Sequence, residues 1–392
     1  MAVYFWIVVG FCVIYPLIPR KDIKWIFALL TVVLSVLAYF CEPLKTDDLS
    51  RYYNTLETLR NVSLSGYFDL QRDGYANFDA VPVCGLYFFF ISKLGNNNLL
   101  PAITIFITYG SMFLVIWRFA QRYKVSKLYM FVAVLFLLST YWYYDTCSGI
   151  RNGLAFNVCM FCLYFDLIEE KNKLLCWIGY FVALGIHSAA IIMLALRAFA
   201  ELTFRIKRKF VNIFALVAIT CGASIIELAG KFFNNSFMNV LLEKTEKNAS
   251  RIVSFGPTTI LNLAVIVWIT VVFIYTVQLV KKAEIEGLDK FFNFMVVLLT
   301  FTFGSLSSWL IFVRLMHWVI PLFGSLVIML CFDLNRRERM KTKAEHRSII
   351  KRDVSVYRSN ERIFTLGTTA LSTVVLVFVC FISVVSAAVF SA

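Results

Sequence analysis

The chain has 392 residues, of which 60% are hydrophobic, 17% aromatic and only 16% charged, and its mean hydropathy is +0.76. A soluble domain of this composition could not cover its apolar surface with polar groups, which excludes the soluble globular class. The net charge of +14 comes from cations in the connections between apolar runs. The positive-inside rule requires this of a membrane protein, so the charge argues against nucleic-acid binding.

Apolar runs of about 16–24 residues recur along the chain and predict an all-α, polytopic integral membrane protein with about twelve transmembrane helices. The predicted spans cover residues 2–18, 25–41, 99–117, 128–144, 152–168, a hairpin within 174–204, 210–228, 258–280, 291–312, 315–332 and 364–389. The first span lacks the basic segment of a signal peptide, so we interpret it as retained.

The connections between the spans are assigned to the two sides of the membrane by their charge. Basic turns are placed in the cytoplasm, and the two long polar loops, at 42–98 and 229–257, are placed outside. The chain is therefore predicted to form a transmembrane bundle over residues 1–332, a basic cytoplasmic loop at 333–363 and a C-terminal transmembrane helix within 364–392.

Residues 174–204 pose the main question of topology. A single helix would put the basic cluster at 205–209 outside, against the charge rule, whereas two short helices return that cluster to the cytoplasm. We therefore predict a hairpin with His187 at its outer apex. Arg197 and Glu201 then lie one turn apart near the inner end, where a structural ion pair or snorkelling accounts for them.

Cysteine usage gives no sign of a disulfide framework or a zinc site. The ten cysteines are scattered, almost all in apolar helices, and Cys159 and Cys162 form a C-x-x-C inside a helix without a second ligand pair. We interpret them as small packing residues. The sequence also lacks a phosphate-binding loop, a metal triad and a serine-nucleophile motif, which is compatible with a site that needs no metal and no cofactor.

The predicted topology brings polar residues that are distant in sequence to the outer face. They are Asp47, Asp48 and Tyr52, then Arg151, then His187, and finally Arg314 with His317. Each has a structural alternative: an arginine at a helix mouth can anchor in lipid phosphate, a turn histidine can be a structural donor, and an aspartate can cap a helix. The aromatic residues 141–144 are interpreted as an interfacial belt. The convergence of the polar residues is what indicates a site.

Two guanidinium groups and an imidazole suit a phosphate-bearing lipid head group, because arginine contacts phosphate oxygens in a planar, bidentate way. A pyrophosphate leaving group needs such a clamp as negative charge grows on it. Histidine or an aspartate can take a proton from an acceptor hydroxyl, and which of them does so stays open. We expect catalytic roles for His187, Arg151 and Asp48, and substrate binding by Arg314, Asp47, Tyr52 and His317.

Four short motifs carry a family resemblance. They are DDLSRYY at 47–53, GIRNGLA at 149–155, GIHSAAII at 185–192 and FVRLMH at 312–317, with the charged turn EEKNK at 169–173 between the second and third. In this order and spacing they resemble the EpsG family of Wzy-type polysaccharide polymerases, over roughly residues 25–332. Asn152 stands where the family commonly has glutamine, and the segment from residue 333 onward looks like an extension.

The resemblance implies a multi-spanning glycosyltransferase of the GT-C type in the bacterial inner membrane, acting in exopolysaccharide, O-antigen or capsule biosynthesis. Such an enzyme joins polyprenyl (undecaprenyl)-pyrophosphate-linked oligosaccharide repeats at the outer face. The growing glycan leaves its lipid pyrophosphate and is transferred to a hydroxyl of the next lipid-linked repeat, without a nucleotide sugar or an obligatory metal. A flippase and a chain-length regulator are the implied protein partners.

Three other functions stay open on the sequence. A polysaccharide ligase of similar plan would move the glycan to a different acceptor. A flippase or transporter would favour charges lining the middle of the bundle and an internal repeat, and the sequence offers little of either. A scaffold for a synthesis complex would need no site at all.

Overall fold

The computed structural model describes residues 2–43, 47–205, 256–307, 309–345 and 362–375. At residues 307, 309, 310 and 342–345 it describes the backbone alone. Within these ranges every regular element is a helix and no strand occurs, which confirms the predicted all-α class. The predicted span at 210–228 and nearly all of the predicted loop at 229–257 lie outside the described residues, as does much of the chain after 345.

The helices follow one another with short connections. In chain order they are α1 (Ala2–Ile14), α2 (Ile23–Tyr39), α3 (Asp48–Arg60), α4 (Leu64–Arg72), α5 (Pro82–Ser92), α6 (Leu99–Arg122), α7 (Lys127–Thr140), α8 (Tyr143–Ser148), α9 (Ile150–Tyr164), α10 (Lys173–Ile186), α11 (Ile191–Arg205), α12 (Pro257–Lys282), α13 (Asp289–Gly304), α14 (Trp309–Trp318), α15 (Ile320–Glu345) and α16 over residues 362–375.

Three helical stretches in the described ranges are long and apolar enough to cross a membrane by themselves: Arg20–Tyr39, Leu99–Arg122 and Pro257–Lys282. A fourth crossing is formed if the pair α14 and α15, bent by 47° at the break before Ile320, counts as one span. Shorter apolar helices include α5, α7 and α10. The chain is therefore an integral membrane protein of several spans, and the count of about twelve stays a prediction.

Helix α2 illustrates how the bundle meets its surroundings. Its buried face includes Phe27 and Leu34 and packs against α6, while Leu29, Val32 and Val36 on the other face are exposed. A helix that is apolar on both its buried and its exposed face is stable in lipid and would aggregate in water. The exposed face of α2 is therefore a lipid-facing surface.

The chain breaks between α10 and α11 at His187, as predicted for a hairpin. Asp166, which follows α9, accepts a hydrogen bond from the Tyr180 hydroxyl in α10 (3.1 Å) and from Arg197 Nε in α11 (2.6 Å). In one straight helix Tyr180 and Arg197 would lie about 25 Å apart, so both can reach Asp166 only if the chain turns back between them. Arg197 also donates to Glu201 (3.0 Å), so of the two alternatives, ion pair and snorkelling, the ion pair is present.

The polar stretch predicted as the loop 42–98 is instead largely helical. Leu49, Leu56 and Leu59 are fully buried and follow helical spacing along α3, so this helix is amphipathic and packs its apolar stripe against α5. The low overall hydropathy of the stretch marked it as polar, but polarity on one face does not prevent a helix. The prediction of a loop here was wrong in its local structure, and the outer location stays a prediction.

Two further expectations differ from the structure. The aromatic residues 141–144 do not form an interfacial belt, because Tyr141 and Tyr143 are only 1% and 4% exposed and pack inside the bundle. The segment expected to be a loop from residue 333 is helical at its start, since α15 continues to Glu345. Its polar residues are paired there: Asp333 accepts the Ser126 backbone amide at 2.9 Å and forms a salt bridge with Arg337.

Candidate functional site

Arg151 lies in the first turn of α9, as its motif predicted. Its Nε donates to the Tyr52 hydroxyl at 3.1 Å, and its guanidinium lies over the Tyr52 ring, 5.4 Å from the centroid. Gly149 permits the tight junction of α8 and α9, because a Cβ there would approach the Asp145 carbonyl oxygen to 2.7 Å. Among the described residues Arg151 contacts no carboxylate.

Tyr52 is held by its neighbours on α3 and α5. It is 7% exposed and packs edge-on against Phe88, with ring centroids 5.1 Å apart. Burial raises the pKa of Tyr52 to about 12, although the nearby Arg151 opposes this. The hydroxyl therefore stays protonated at neutral pH, accepts a hydrogen bond from Arg151 and keeps its own proton to donate.

Arg314 is half-buried on α14 and forms no hydrogen bond and no salt bridge within the described ranges. The charged group that acts on it electrostatically is Asp48, at the start of α3. The same carboxylate acts on Arg151, while its direct contact is with the exposed Arg51. Arg151, Arg314, Asp48 and Tyr52 thus form one group, which we call the arginine cluster.

Asp47 immediately precedes α3, in the extended conformation of an N-cap residue, but its side chain does not cap its own helix. Its carboxylate instead accepts a hydrogen bond from the Tyr144 hydroxyl of α8. The start of α3 is therefore tied to the segment that leads into Arg151. Asp47 therefore occupies the N-cap position expected of its structural alternative, without making the capping hydrogen bond.

His317 lies one turn after Arg314, on the same side of α14. Its Nδ1 is 3.1 Å from Asp145 Oδ2, and its ring stacks on Trp142 with centroids 4.2 Å apart. The ring is 4% exposed, and its Nε2 is buried with no hydrogen-bond partner in the described part of the chain.

Asp145 and Trp142 were not predicted as site residues. Trp142 was assigned to an aromatic belt, and Asp145 lies in α8 beside Tyr144, a few residues before Arg151. Their closeness in sequence to the Arg151 motif was a usable signal. Their partner, His317, is 172 positions away from Asp145, so no local pattern revealed the contact.

His187 occupies the turn between α10 and α11, where its Nδ1 accepts the backbone amide of Ala189 at 2.9 Å. The turn packs against α9. The end of α10 that leads into this turn packs against α5, and a Cβ at Gly185 would lie 2.6 Å from the Val83 side chain. His187 therefore lies at the same end of α9 as the arginine cluster, and the connection runs through α5.

Anionic groups suit this end of the bundle better than cations do. Arg151 and Arg314 lack contacting carboxylates, and within the described ranges no group of three or more His, Cys, Asp or Glu side chains could hold a metal ion. Arginine binds phosphate oxygens through planar, bidentate hydrogen bonds. The arrangement can hold a phosphate-bearing ligand beside a histidine and two aspartates.

Comparison with curated proteins and with solved structures gives no match. A sequence model of the EpsG family matches residues 24–343, which is most of the chain and includes the arginine cluster and both site histidines. Membership in this family indicates a role of the polysaccharide-polymerase type. On this match, and as its motifs predicted, the chain belongs to the EpsG family.

Proposed function

We propose that this protein polymerises polyprenyl-pyrophosphate-linked oligosaccharide repeats at the outer face of the bacterial inner membrane, by glycosyl transfer to the next lipid-linked repeat. The observation that carries the proposal is that Arg151 and Arg314 lie close to the same aspartate without a contacting carboxylate in the described part of the chain. Both guanidinium groups lie near Asp48, and neither contacts a carboxylate within the described residues.

A half-buried cation that contacts no counter-ion is unfavourable, and a protein retains it where a ligand supplies the opposite charge. A pyrophosphate provides two phosphates, and each guanidinium can bind one of them through a bidentate pair of hydrogen bonds. Negative charge on the pyrophosphate increases as its bond to the sugar breaks. Arginines already in position therefore stabilise the transition state more than the bound substrate.

In the proposed reaction an acceptor hydroxyl oxygen attacks the anomeric carbon of the donor glycan. The bond from that carbon to the pyrophosphate oxygen breaks, and polyprenyl pyrophosphate leaves with the electron pair while Arg151 and Arg314 hold it. The acceptor hydroxyl loses its proton in the same step. Asp48 and Asp47, at the start of α3, are assigned to the sugar hydroxyls of the incoming repeat.

Tyr52 receives a different role from the direct substrate binding expected of it. One face of its ring is covered by Arg151, and Phe88 packs against the ring as well, so little surface remains for a sugar. Its hydroxyl accepts from Arg151 Nε and thereby fixes the direction of the guanidinium. We assign Tyr52 to positioning Arg151, with the phenol proton available to a phosphate oxygen.

The proposal is tested by deleting the gene in its native host and re-expressing wild-type protein or an Arg151→Lys variant. We expect single lipid-linked repeats to accumulate on the outer leaflet in the deletion strain and in the Arg151→Lys strain, and wild-type protein to restore long chains. Arg72→Lys, on an exposed arginine that pairs with Asp69, is the matched control and should behave as wild type.

Other outcomes would support other functions. Repeats confined to the inner leaflet would identify a flippase, and long chains that stay on the lipid without reaching their final acceptor would identify a ligase. Either result would overturn the proposal. Long chains in the Arg151→Lys strain would remove Arg151 from the mechanism while leaving the polymerase in place.

The proposed orientation is tested by placing single cysteines at Asp73, which is exposed after α4, and at Lys171, which is exposed after α9. In a background without the native cysteines, a membrane-impermeant maleimide should label position 73 in intact cells. Position 171 should react only after the membrane is permeabilised. The reverse pattern would place the arginine cluster on the cytoplasmic side.

A further inference from the structure

The two site histidines differ in what surrounds their ring nitrogens. In His187, Nδ1 faces a backbone N–H, the amide of Ala189, so Nδ1 must be the acceptor and a neutral ring carries its proton on Nε2. In His317, Nδ1 faces a carboxylate, Asp145 Oδ2 at 3.1 Å, so Nδ1 must be the donor. The neutral ring of His317 therefore has its free lone pair on Nε2.

This difference decides which histidine can accept a proton in its neutral form. His187 already uses its lone pair on the backbone, and its Nε2–H can only donate. His317 keeps a lone pair that finds no hydrogen-bond donor within the described residues, although the atom is buried. A buried polar atom left without a partner costs about 1–3 kcal/mol, so its retention requires a reason.

The position of His317 supplies that reason. Arg314 and His317 are three residues apart on α14 and therefore project from the same side of the helix. The neighbouring residues of α8 connect the same regions: Tyr144 donates to Asp47 before α3, and Asp145 holds His317. The free nitrogen thus belongs to the group of side chains that surrounds the proposed pyrophosphate site.

Trp142 restricts the ring of His317 further. The two rings are stacked, 4.2 Å apart with an interplanar angle of 17°. The stack fixes the plane of the imidazole, and the Asp145 contact fixes its rotation within that plane. A carboxylate that orients an imidazole and stabilises the imidazolium it becomes is the arrangement by which histidine acts as a general base in several unrelated enzymes.

We infer that His317 is the general base of the transfer, and that Asp145 and Trp142 are its positioning residues. The inference rests on the proposed function. His317 Nε2 takes the proton of the acceptor hydroxyl as that oxygen bonds to the anomeric carbon, and the pyrophosphate leaves with the electron pair of the broken bond. The imidazolium, stabilised by Asp145, then releases the proton to water and the neutral ring is restored.

The test uses full-length protein in membrane vesicles and lipid-linked repeats extracted from the deletion strain. His317→Asn keeps a donor that can reach Asp145 but removes the base nitrogen, and Asp145→Asn removes the charge that holds the ring and stabilises the imidazolium. We expect the initial rate of chain elongation to fall roughly 10²- to 10⁴-fold for both variants, the usual contribution of a general base. Asp69→Asn, on an exposed carboxylate paired with Arg72, is the matched control.

Two further measurements separate a base from a structural residue. Binding of undecaprenyl pyrophosphate, measured as a shift in the thermal denaturation of detergent-solubilised protein, should be the same in wild-type protein and in both variants. His317→Gly leaves a space beside Trp142, and added imidazole should raise the elongation rate of this variant at least tenfold. A purely structural role predicts reduced binding and no rescue.

The outcomes distinguish the inference from the function on which it rests. If wild-type protein fails to elongate the extracted repeats, the proposed function is wrong. If wild-type protein elongates them and His317→Asn or Asp145→Asn does so at a similar rate, the polymerase stands and the assignment of the base is wrong. Loss of elongation together with loss of undecaprenyl pyrophosphate binding would assign His317 to substrate binding instead and overturn its role as base.

Discussion

Arginines at the two ends of α9 have opposite surroundings. Beyond the end of α9, Arg118 forms a bidentate pair with Glu169, at 2.6 and 2.7 Å. Arg197 there contacts Asp166 and Glu201. At the start of α9, Arg151 contacts a neutral phenol, the side chain of Tyr52. Arg314, at the same end, has no hydrogen-bonding or salt-bridge partner in the described ranges.

The difference separates structural from functional charge within one membrane protein. A buried arginine that contacts carboxylates is neutralised by the fold, and it connects helices that would otherwise separate. An arginine that the fold leaves without a counter-ion destabilises the empty protein and is available to an anion. Removing one arginine of each kind tests this contrast.

The largest expected effect is on stability, at the paired end. Arg197→Leu leaves the carboxylate of Asp166, which is 1% exposed, without its cation. We expect a loss of about 3–5 kcal/mol in the free energy of unfolding, as for other buried pairs that lose one partner. A clear fall in the thermal denaturation midpoint of detergent-solubilised protein would show it. An unchanged midpoint would mean that the pair does not hold α9, α10 and α11 together.

The next effect is on activity, at the unpaired end. Arg314→Leu removes one of the two proposed phosphate ligands, and we expect chain elongation to fall by roughly 10²- to 10³-fold, as when one preorganised transition-state donor is lost. The denaturation midpoint should stay the same or rise, because an uncompensated cation has been replaced by an apolar side chain. A strongly destabilised Arg314→Leu protein would contradict the contrast between the two ends.

A smaller effect is expected at Tyr52, which orients Arg151 without carrying charge. Tyr52→Phe removes one hydrogen bond to a guanidinium, worth about 1.5–3 kcal/mol, so elongation should fall by about 10- to 100-fold. Because burial raises the pKa of Tyr52 to about 12, the phenol is neutral at and near neutral pH. The ratio of the wild-type elongation rate to the Tyr52→Phe elongation rate should therefore be constant near neutral pH. A ratio that changes with pH in this range would show that Tyr52 itself titrates.

The smallest effect is expected at the hairpin turn. His187→Ala removes the acceptor for the Ala189 amide, which should cost about 1 kcal/mol of stability and lower the amount of protein in the membrane. His187→Asn keeps an acceptor oxygen at a similar position and should restore that amount. The rate of elongation per molecule of His187→Asn protein should exceed the rate per molecule of His317→Asn protein. The opposite order would return the role of base to His187.

Much of the architecture could be predicted from local patterns. Hydropathy identified the all-α membrane class, and the charge of the 205–209 cluster predicted the break at His187, because both signals are properties of short stretches of chain. The amphipathic helix α3 was missed, although Leu49, Leu56 and Leu59 carry its helical spacing. The high average polarity of this stretch hides that periodicity.

The amino-acid sequence by itself determined that the protein lies in a membrane and which family it belongs to, and it predicted that Asp48, Arg151 and Arg314 share one site. Only the tertiary structure decided which arginines contact carboxylates, and whether Nδ1 of each histidine donates or accepts its hydrogen bond. Those properties depend on contacts between residues far apart along the chain, 99 positions for Arg151 and Tyr52 and 172 for Asp145 and His317. Charge and residue type are local, whereas pairing and hydrogen-bond direction arise when the helices pack.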